Sequence, residues 1–137
     1  MDNETIESFA RYRLSKARET LETAKMIFED GKDLTSANNR AYYAIFYAIR
    51  AVLAIEEIDF KRHKDVLAYF NKEYVNKEIF TKMIGRKIAQ AQKIREDSDY
   101  DDEYEPSFEK TEQQIKTAQE LIVLVEEYIN NHYRNIE

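Results

Sequence analysis

The segment Arg95-Glu96-Asp97-Ser98-Asp99-Tyr100 places a guanidinium, carboxylates and a phenol within six residues. Groups of these kinds hold charge and move protons when they converge on one point. We expect the segment to lie where a helix ends and an acidic loop begins, so that its side chains project together. The simpler interpretation is a solvated helix end, with Arg95 favourably placed at the negative end of the helix dipole.

A second group of charges, Lys61-Arg62-His63-Lys64, falls in the first turn of another predicted helix. The helix dipole disfavours cations at that position. Free backbone N–H groups at a helix start, together with Lys and Arg, instead form a site for a phosphate. The alternative is a surface turn that pairs with Glu56, Glu57 or the acidic segment. A lone histidine such as His63 is more often structural or solvent-exposed than catalytic.

A third stretch, Arg40 to Ala48, places Arg40, Tyr43 and Tyr47 at spacings of three and four, and therefore on one helix face. Tyrosine replaces phenylalanine where its hydroxyl reaches a polar partner, so this face can border a polar cavity. The alternative is an ordinary bundle core with tyrosine tips at the surface.

Several kinds of chemistry are excluded by what the sequence lacks. It has no cysteine, no glycine-rich phosphate loop, no nucleophile elbow and no calcium loop, and it has only two histidines. We therefore expect no metal and no cofactor, which leaves metal-free chemistry or binding. The net charge of −6 argues against broad nucleic-acid binding, so any contact with RNA must be local.

The composition predicts an all-α protein. Only two glycines and one proline interrupt 137 residues, too few turn residues for a sheet protein of this length. The longest nearly apolar run, Ala41 to Ile55, contains Arg50 and is shorter than the roughly 20 residues that span a bilayer. We expect a buried helix there, no membrane association, and, because the acidic N-terminus does not read as a secretory signal, a cytoplasmic protein.

Apolar periodicity predicts the helices. The first carries a stripe from Ile6 to Phe28 and ends at Gly31. The second, capped by Asp33, Thr35 or Ser36, is apolar on two sides and must be central in the bundle or at a dimer interface. One face is a heptad seam formed by Leu34, Ala37, Ala41, Ala44, Ala48, Ala51 and Ile55. The second face is formed by Ile45, Ile49, Val52 and Leu53.

The remaining boundaries rest on polar caps and one proline. Asp59 is expected to cap a short third helix that carries Val66, Leu67, Phe70 and Tyr74. Asn76 is expected to cap a fourth helix, which ends near Arg95 and carries Phe80, Met83, Ile84, Ile88, Ala91 and Ile94. Seven of the ten residues from 96 to 105 are acidic, and Pro106 then fits the first turn of the last helix.

The order and spacing of these motifs resemble the small stand-alone prokaryotic HEPN proteins. The matching elements are the helix Arg40-Ala-Tyr-Tyr-Ala-Ile-Phe-Tyr-Ala, the turn Lys61-Arg-His-Lys, and Arg95-x-x-x-Asp99-Tyr100 before a last amphipathic helix. The likeness covers nearly the whole chain. It implies an antiparallel up-and-down bundle of four to five helices, one domain over residues 1–137, that commonly forms a homodimer.

Many HEPN proteins are metal-independent ribonucleases whose signature is Arg, four to six residues, then His. They are often encoded beside a minimal nucleotidyltransferase antitoxin. Arg95 matches the arginine, which in the family stabilises the phosphate while histidine moves the proton of the ribose 2′-hydroxyl. Tyr100, preceded by Asp99, stands where histidine is expected, and tyrosine, with a pKa of about 10, is a poor base at neutral pH.

The resemblance leaves three ways to account for Tyr100. His63 approaches Arg95 within the bundle and supplies the missing base, or a dimer brings both copies of Arg95 into one cleft, or Tyr100 receives a nucleotide from a partner nucleotidyltransferase. The predicted catalytic residues are Arg95, Asp99, Tyr100 and His63. The predicted nucleotide- or phosphate-binding residues are Arg40, Tyr43, Lys61, Arg62 and Lys64.

Three functions are consistent with these motifs. The first is a toxin-like ribonuclease that acts on RNA beside a minimal nucleotidyltransferase antitoxin. The second is a non-catalytic HEPN module that binds a nucleotidyltransferase or a nucleotide. The third is a structural bundle, which separation of His63, Arg95 and Tyr100 in the fold would favour.

Overall fold

Five α-helices make up most of the chain, and a π-helical turn follows the third. The computed structural model describes residues 1–100 and 103–134, without the side chains of Asp99 and Tyr100. None of the described residues lies in a β-strand, so the predicted all-α bundle is confirmed. The elements are α1 (Asn3–Asp30), α2 (Leu34–Ile55), α3 (His63–Phe70), the π-turn (Asn71–Val75), α4 (Lys82–Tyr100) and α5 (Phe108–Arg134).

The α1–α2 hairpin follows the predicted signals. Gly31 ends α1 with φ of 73°, a left-handed conformation that glycine adopts without steric cost. Asp33 then caps α2, because its carboxylate accepts a hydrogen bond from the Ser36 backbone N–H at 3.0 Å. The short connection makes the two helices antiparallel.

Helix α2 is the central helix of the bundle. It packs against α1, α3, α4 and α5, and both of its apolar faces are buried, as predicted. The alanines at 37, 41, 44, 48 and 51 have no exposed surface, and neither do Ala10, Ala17 and Ala24 on α1. The α1–α2 contact is the most extensive between any two elements. Small side chains on both helices permit this close approach.

Pairs between helices give the directions of α4 and α5. Lys87 and Gln90 on α4 contact Glu120 and Gln113 on α5 in reverse order, so these helices are antiparallel. Helices α1 and α5 are also antiparallel. Because α1 is antiparallel to α2 as well, α2 and α5 are parallel. Asn38 and Thr111, which lie near the N-terminal ends of α2 and α5, are accordingly in contact. One hydrophobic cluster includes residues from all five α-helices and the π-turn.

The predicted start of α3 was wrong. Asp59 does not cap the helix, which begins at His63 after Arg62 without a side-chain cap. The Asp59 carboxylate instead accepts a hydrogen bond from Arg50 at 2.7 Å. A charge-assisted bond to a guanidinium is stronger than a bond to a neutral backbone N–H. Tyr74, predicted to lie on the third helix, belongs to the π-turn.

The starts of α4 and α5 were also predicted wrongly. Asn76 and Phe80 precede α4, whose cap is Thr81, with Oγ1 accepting from the Ile84 N–H at 3.2 Å. Burial of Val75 and Phe80 holds the intervening chain in a non-helical path. Ser107 caps α5, so Pro106 lies just before the helix instead of in its first turn.

Helix α4 does not end near Arg95 but continues to Tyr100. Ile94 is buried in the bundle, and Asp97 pairs with Lys93 at 3.5 Å one turn earlier on the helix. Tertiary packing and this pair extend the helix through its acidic sequence. The predicted acidic loop therefore begins later than residue 96.

Gly85 on α4 lets the π-turn approach the helix. A Cβ at this position would lie 2.6 Å from Val75 Cγ1. We expect Gly85→Ala to destabilise the protein by about 1–3 kcal/mol through overpacking, although alanine is favoured over glycine in a helix by roughly 0.5–1 kcal/mol. Urea unfolding measures the change.

The matched background is Val75→Ala, which removes the obstructing methyl groups. In that background, Gly85→Ala should change sign and stabilise the protein by its helix propensity alone. Equal effects of Gly85→Ala in both backgrounds would show that the Val75 contact is not the constraint.

Candidate functional site

Tyr43 on α2 is in contact with two arginines. Arg95 Nη2 on α4 donates a hydrogen bond to Tyr43 Oη at 3.3 Å, and its guanidinium carbon lies 5.0 Å from the Tyr43 ring centroid and 5.2 Å from that of Tyr42. The Arg40 guanidinium carbon lies 4.8 Å from the Tyr43 ring. These are cation–π distances. Both guanidinium groups are therefore held against one aromatic surface.

His63, at the start of α3, reaches the same tyrosine. Its ring centroid lies 5.5 Å from that of Tyr43 and 6.3 Å from that of Tyr42, and it stacks on Phe46 at 4.0 Å. Arg95 and His63 come from different helices, yet both contact Tyr43. We refer to Arg40, Tyr42, Tyr43, His63 and Arg95 as the Tyr43 cluster.

A buried polar joint lies one helical turn from the cluster. Gln114 on α5 donates from Nε2 to Asn38 Oδ1 on α2 at 3.3 Å and to the Ala91 carbonyl on α4 at 3.5 Å. Asn38 Nδ2 donates to Thr111 Oγ1 at 3.4 Å. Asn38 precedes Tyr42 by four residues, and Ala91 precedes Arg95 by four. The joint therefore fixes α4 against α2 close to the point where Arg95 meets the tyrosines.

Neither Tyr42 nor this joint was predicted from the sequence. Tyr42 is 3% exposed and reads as core by periodicity. Gln114 precedes the buried residues Ala118 and Leu121 by four and seven positions. A polar residue on an otherwise apolar stripe was the available signal for a buried hydrogen bond.

The three cations of the basic turn Lys61-Arg62-His63-Lys64 lie in different surroundings. Arg62 is exposed and pairs with Asp65 at 2.9 Å, so its partner is neither Glu56 nor Glu57. Lys61 lines a cleft beside His63, and Lys64 lines a groove between α3 and α4. Among the described contacts of this turn, only those of His63 reach Tyr42 and Tyr43. The predicted phosphate-binding residues thus divide into Arg40 and Tyr43 in the cluster and three cations outside it.

Asp99 and Tyr100 were predicted to be catalytic. Their backbone belongs to α4, but their side chains lie outside the described residues. Their roles stay predictions. Within the described ranges, no three histidine, aspartate or glutamate side chains are grouped so that they could hold a metal ion.

Asp59 anchors the segment that leads into α3. Its Oδ2 accepts hydrogen bonds from Arg50 Nη2 on α2 at 2.7 Å and from Arg13 Nη2 on α1 at 3.4 Å. Burial raises the pKa of Asp59, but the hydrogen bonds from Arg50 and the Phe60 N–H and the charges of both arginines outweigh it. The pKa of Asp59 is therefore below its ordinary value. This carboxylate ties the start of α3, and with it His63, to α1 and α2.

Comparison with known proteins places the chain in a family. The HEPN domain family matches residues 10–128, so the chain belongs to the HEPN domain family. A UPF0332 protein of Thermotoga maritima is 32% identical over 125 residues, which cover 91% of this chain and 94% of that protein. A protein of Methanocaldococcus jannaschii named as a candidate toxin is 31% identical over 120 residues, 88% of each chain. The resemblance seen in the motifs is confirmed.

No helix in the described ranges is both long and apolar enough to cross a membrane.

The Asp59 anchor has a pH dependence that can be measured. Because its folded-state pKa is lowered, its contribution to stability is present above the unfolded pKa of about 3.9 and is lost as the pH falls through the lower folded value. We expect Asp59→Asn to be less stable than the wild type at pH 7, by a modest amount because the side chain is 47% exposed. This difference should shrink between pH 5 and pH 3.

Urea unfolding of both proteins at several pH values gives the difference directly. Glu29→Gln makes the same change in charge at an exposed position of α1 and controls for net charge. A difference between wild type and Asp59→Asn that stays constant from pH 7 to pH 3 would contradict the assignment.

Proposed function

We propose that this HEPN protein is a toxin-like ribonuclease that cleaves RNA without a metal ion at the Tyr43 cluster. The observation that supports it is the approach of Arg95 and His63 to one tyrosine from two helices. The family signature pairs an arginine with a histidine. In this chain His63 supplies the histidine from α3, although the position five residues after Arg95 holds Tyr100.

The proposed reaction is attack by a ribose 2′-hydroxyl on the adjacent phosphorus. Neutral His63 accepts the hydroxyl proton, and the 2′-oxygen forms a bond to phosphorus. The bond from phosphorus to the 5′-oxygen breaks, and that oxygen takes a proton from solvent. The products are a 2′,3′-cyclic phosphate and a 5′-hydroxyl. Proton transfer of this kind contributes roughly 10²–10⁴-fold in rate.

The arginines stabilise the negative charge that develops on the phosphate. Arg95 is hydrogen-bonded to Tyr43 Oη and held over two rings, so its orientation is set before substrate binds. Because Tyr43 Oη accepts from Arg95, the tyrosine O–H can be donated to a phosphate oxygen. Arg40 adds a second guanidinium on the same ring. Planar guanidinium groups match phosphate geometry.

The first test is cleavage of single-stranded RNA and tRNA in the presence of EDTA. Arg95→Ala should reduce the rate by about 10²–10³-fold, and His63→Gln by about 10²–10⁴-fold. Arg86→Ala, which removes an exposed arginine of the same helix, is the matched control and should cleave like the wild type.

Two results would refute the proposed activity. One is wild-type protein that leaves both RNAs intact and arrests growth no more than Arg95→Ala does. The other is cleavage that persists equally in Arg95→Ala, His63→Gln and Arg86→Ala, because that would place the activity elsewhere or in a contaminant.

A second candidate function is a non-catalytic module that binds a minimal nucleotidyltransferase or a nucleotide. Tyr100 at the position of the signature histidine favours it, and Tyr100 is then the expected acceptor of a nucleotide from the partner. Nucleotide-induced thermal stabilisation without RNA cleavage would support this function over the first.

We propose in addition that the chain is a homodimer and forms a toxin–antitoxin pair with a minimal nucleotidyltransferase. Light scattering should give twice the 16.4 kDa of one chain. Coexpression with a small nucleotidyltransferase encoded beside the gene should yield a co-purifying complex and relieve growth arrest. A monomer at micromolar concentration, or a neighbouring nucleotidyltransferase that neither binds nor relieves arrest, would contradict these proposals.

A further inference from the structure

A cleft of about 390 Å³ lies on the side of His63 formed by the end of α2 and the segment before α3. It is lined by Phe46, Arg50, Asp59, Phe60, Lys61 and His63. Phe46 packs against Tyr43, and His63 is itself a member of the Tyr43 cluster. The cleft therefore adjoins the proposed site of cleavage at the histidine.

The charge of the cleft is locally positive. Arg50 and Lys61 line it, and Arg13 reaches its carboxylate from α1. Asp59 is the one acidic residue among the lining side chains, and hydrogen bonds from Arg50 and Arg13 already neutralise it. Three cations and one carboxylate leave an excess of positive charge on a chain whose net charge is −6. A local excess of this kind is what phosphate binding requires.

Arg50 has capacity for a further acceptor. Its Nη2 donates a hydrogen bond to Asp59 Oδ2 at 2.7 Å. Its Nε–H is buried and has no hydrogen-bond partner among the described residues. A guanidinium carries five N–H donors, so Arg50 can hold Asp59 and an anion together.

The cleft also offers an aromatic surface. Phe60 is 39% exposed and lines the cleft together with Arg50 and Lys61. An exposed aromatic ring beside cations suits a nucleobase, which stacks on the ring while its phosphate binds the cations. Lys61, the neighbour of Phe60 in the chain, is exposed.

We propose that this cleft is a second nucleotide subsite, in which Arg50 and Lys61 bind a phosphate that flanks the scissile phosphate and Phe60 stacks on a base. The proposal rests on the proposed ribonuclease function, because it takes the Tyr43 cluster as the place of cleavage. It defines the substrate as a single strand that extends past His63, since a base inside a duplex is stacked between its neighbours and does not offer a face to a protein ring.

The experiment measures binding separately from cleavage. The probe is a fluorescein-labelled 2′-O-methyl oligonucleotide, which lacks the attacking hydroxyl and cannot be cleaved by the proposed reaction. Anisotropy titrations at several salt concentrations give the dissociation constant and its salt dependence. Lys61→Gln should weaken binding and reduce the slope of log K against log salt by about 0.7, the value for one phosphate contact on a single strand.

Two further variants complete the comparison. Phe60→Ala should weaken binding about five-fold or more through lost stacking. Lys72→Gln removes the same charge from an exposed position of the π-turn, outside the cleft lining, and should behave like the wild type. Circular dichroism and urea unfolding establish that each variant is folded.

The outcomes separate the subsite from the ribonuclease function. If Lys61→Gln and Phe60→Ala bind the oligonucleotide like Lys72→Gln, the subsite is refuted, whether or not the wild type cleaves RNA. If both weaken binding while the wild type fails to cleave any RNA, the subsite is supported as a binding site and the ribonuclease function fails. A duplex probe that binds as tightly as the single strand, with the same loss in Phe60→Ala, also refutes base stacking.

Discussion

Alanines on α1 and α2 place no atom beyond Cβ between the two helices, so their backbones pack closely over most of their length. Each such contact contributes little, and the stabilisation comes from many dispersion contacts along a long interface. Because these side chains are small, the interface leaves little freedom in the rotation of α2 about its axis. The rotation of α2 in turn determines where its other faces point. One carries Ile45, Ile49 and Leu53 into the core, and another presents Tyr42, Tyr43 and Phe46 to α3 and α4.

That aromatic face explains how an acidic chain can present positive charge at one place. Arginine is less strongly hydrated than lysine, and its planar group stacks on rings. The guanidinium carbons of Arg40 and Arg95 therefore lie against the Tyr43 ring, 4.8 and 5.0 Å from its centroid. Lysines elsewhere on the chain pair with acidic residues four positions away, as Lys77 does with Glu73 and Lys116 with Glu112. The stacked arginines instead bring two guanidinium groups to one aromatic ring.

The sequence was most informative for the long helices. Periodicity and caps identified α1, α2 and the stripe of α5, because their apolar spacing is regular over many turns and Gly31 and Asp33 make local capping contacts. Local rules failed between α2 and α4. Asp59 has the chemistry of a cap, but Arg13 and Arg50, distant in sequence, bind it instead. The π-turn depends on tertiary burial of Tyr74 and Val75, which spacing does not reveal.

The site was predictable as a set of residues and not as an arrangement. Arg40, Tyr43, His63 and Arg95 stood out by type, yet their separation in space depends on how α3 and α4 pack on α2. The same packing separates Lys61 and Lys64, which are close in sequence but line different clefts. Tyr42 was missed because its spacing on α2 is that of an ordinary core residue. Its contact with Arg95 arises only when α4 packs on α2.

His63, the proposed base, begins α3, a helix of only 8 residues. An isolated helix of that length is unstable in water. Both of its ends are anchored, however. Before the start of α3, Asp59 is hydrogen-bonded to arginines of α1 and α2. At the end of α3, the ring centroid of Phe70 lies 5.4 Å from that of Tyr74 and 5.1 Å from that of Phe80. Phe46 then stacks on the imidazole itself. These restraints come from separate helices, so the position of His63 relative to Arg95 is set by the bundle as a whole. The packing thus holds Arg95 and His63 against the same tyrosine, in a chain where Tyr100 follows Arg95 by five residues.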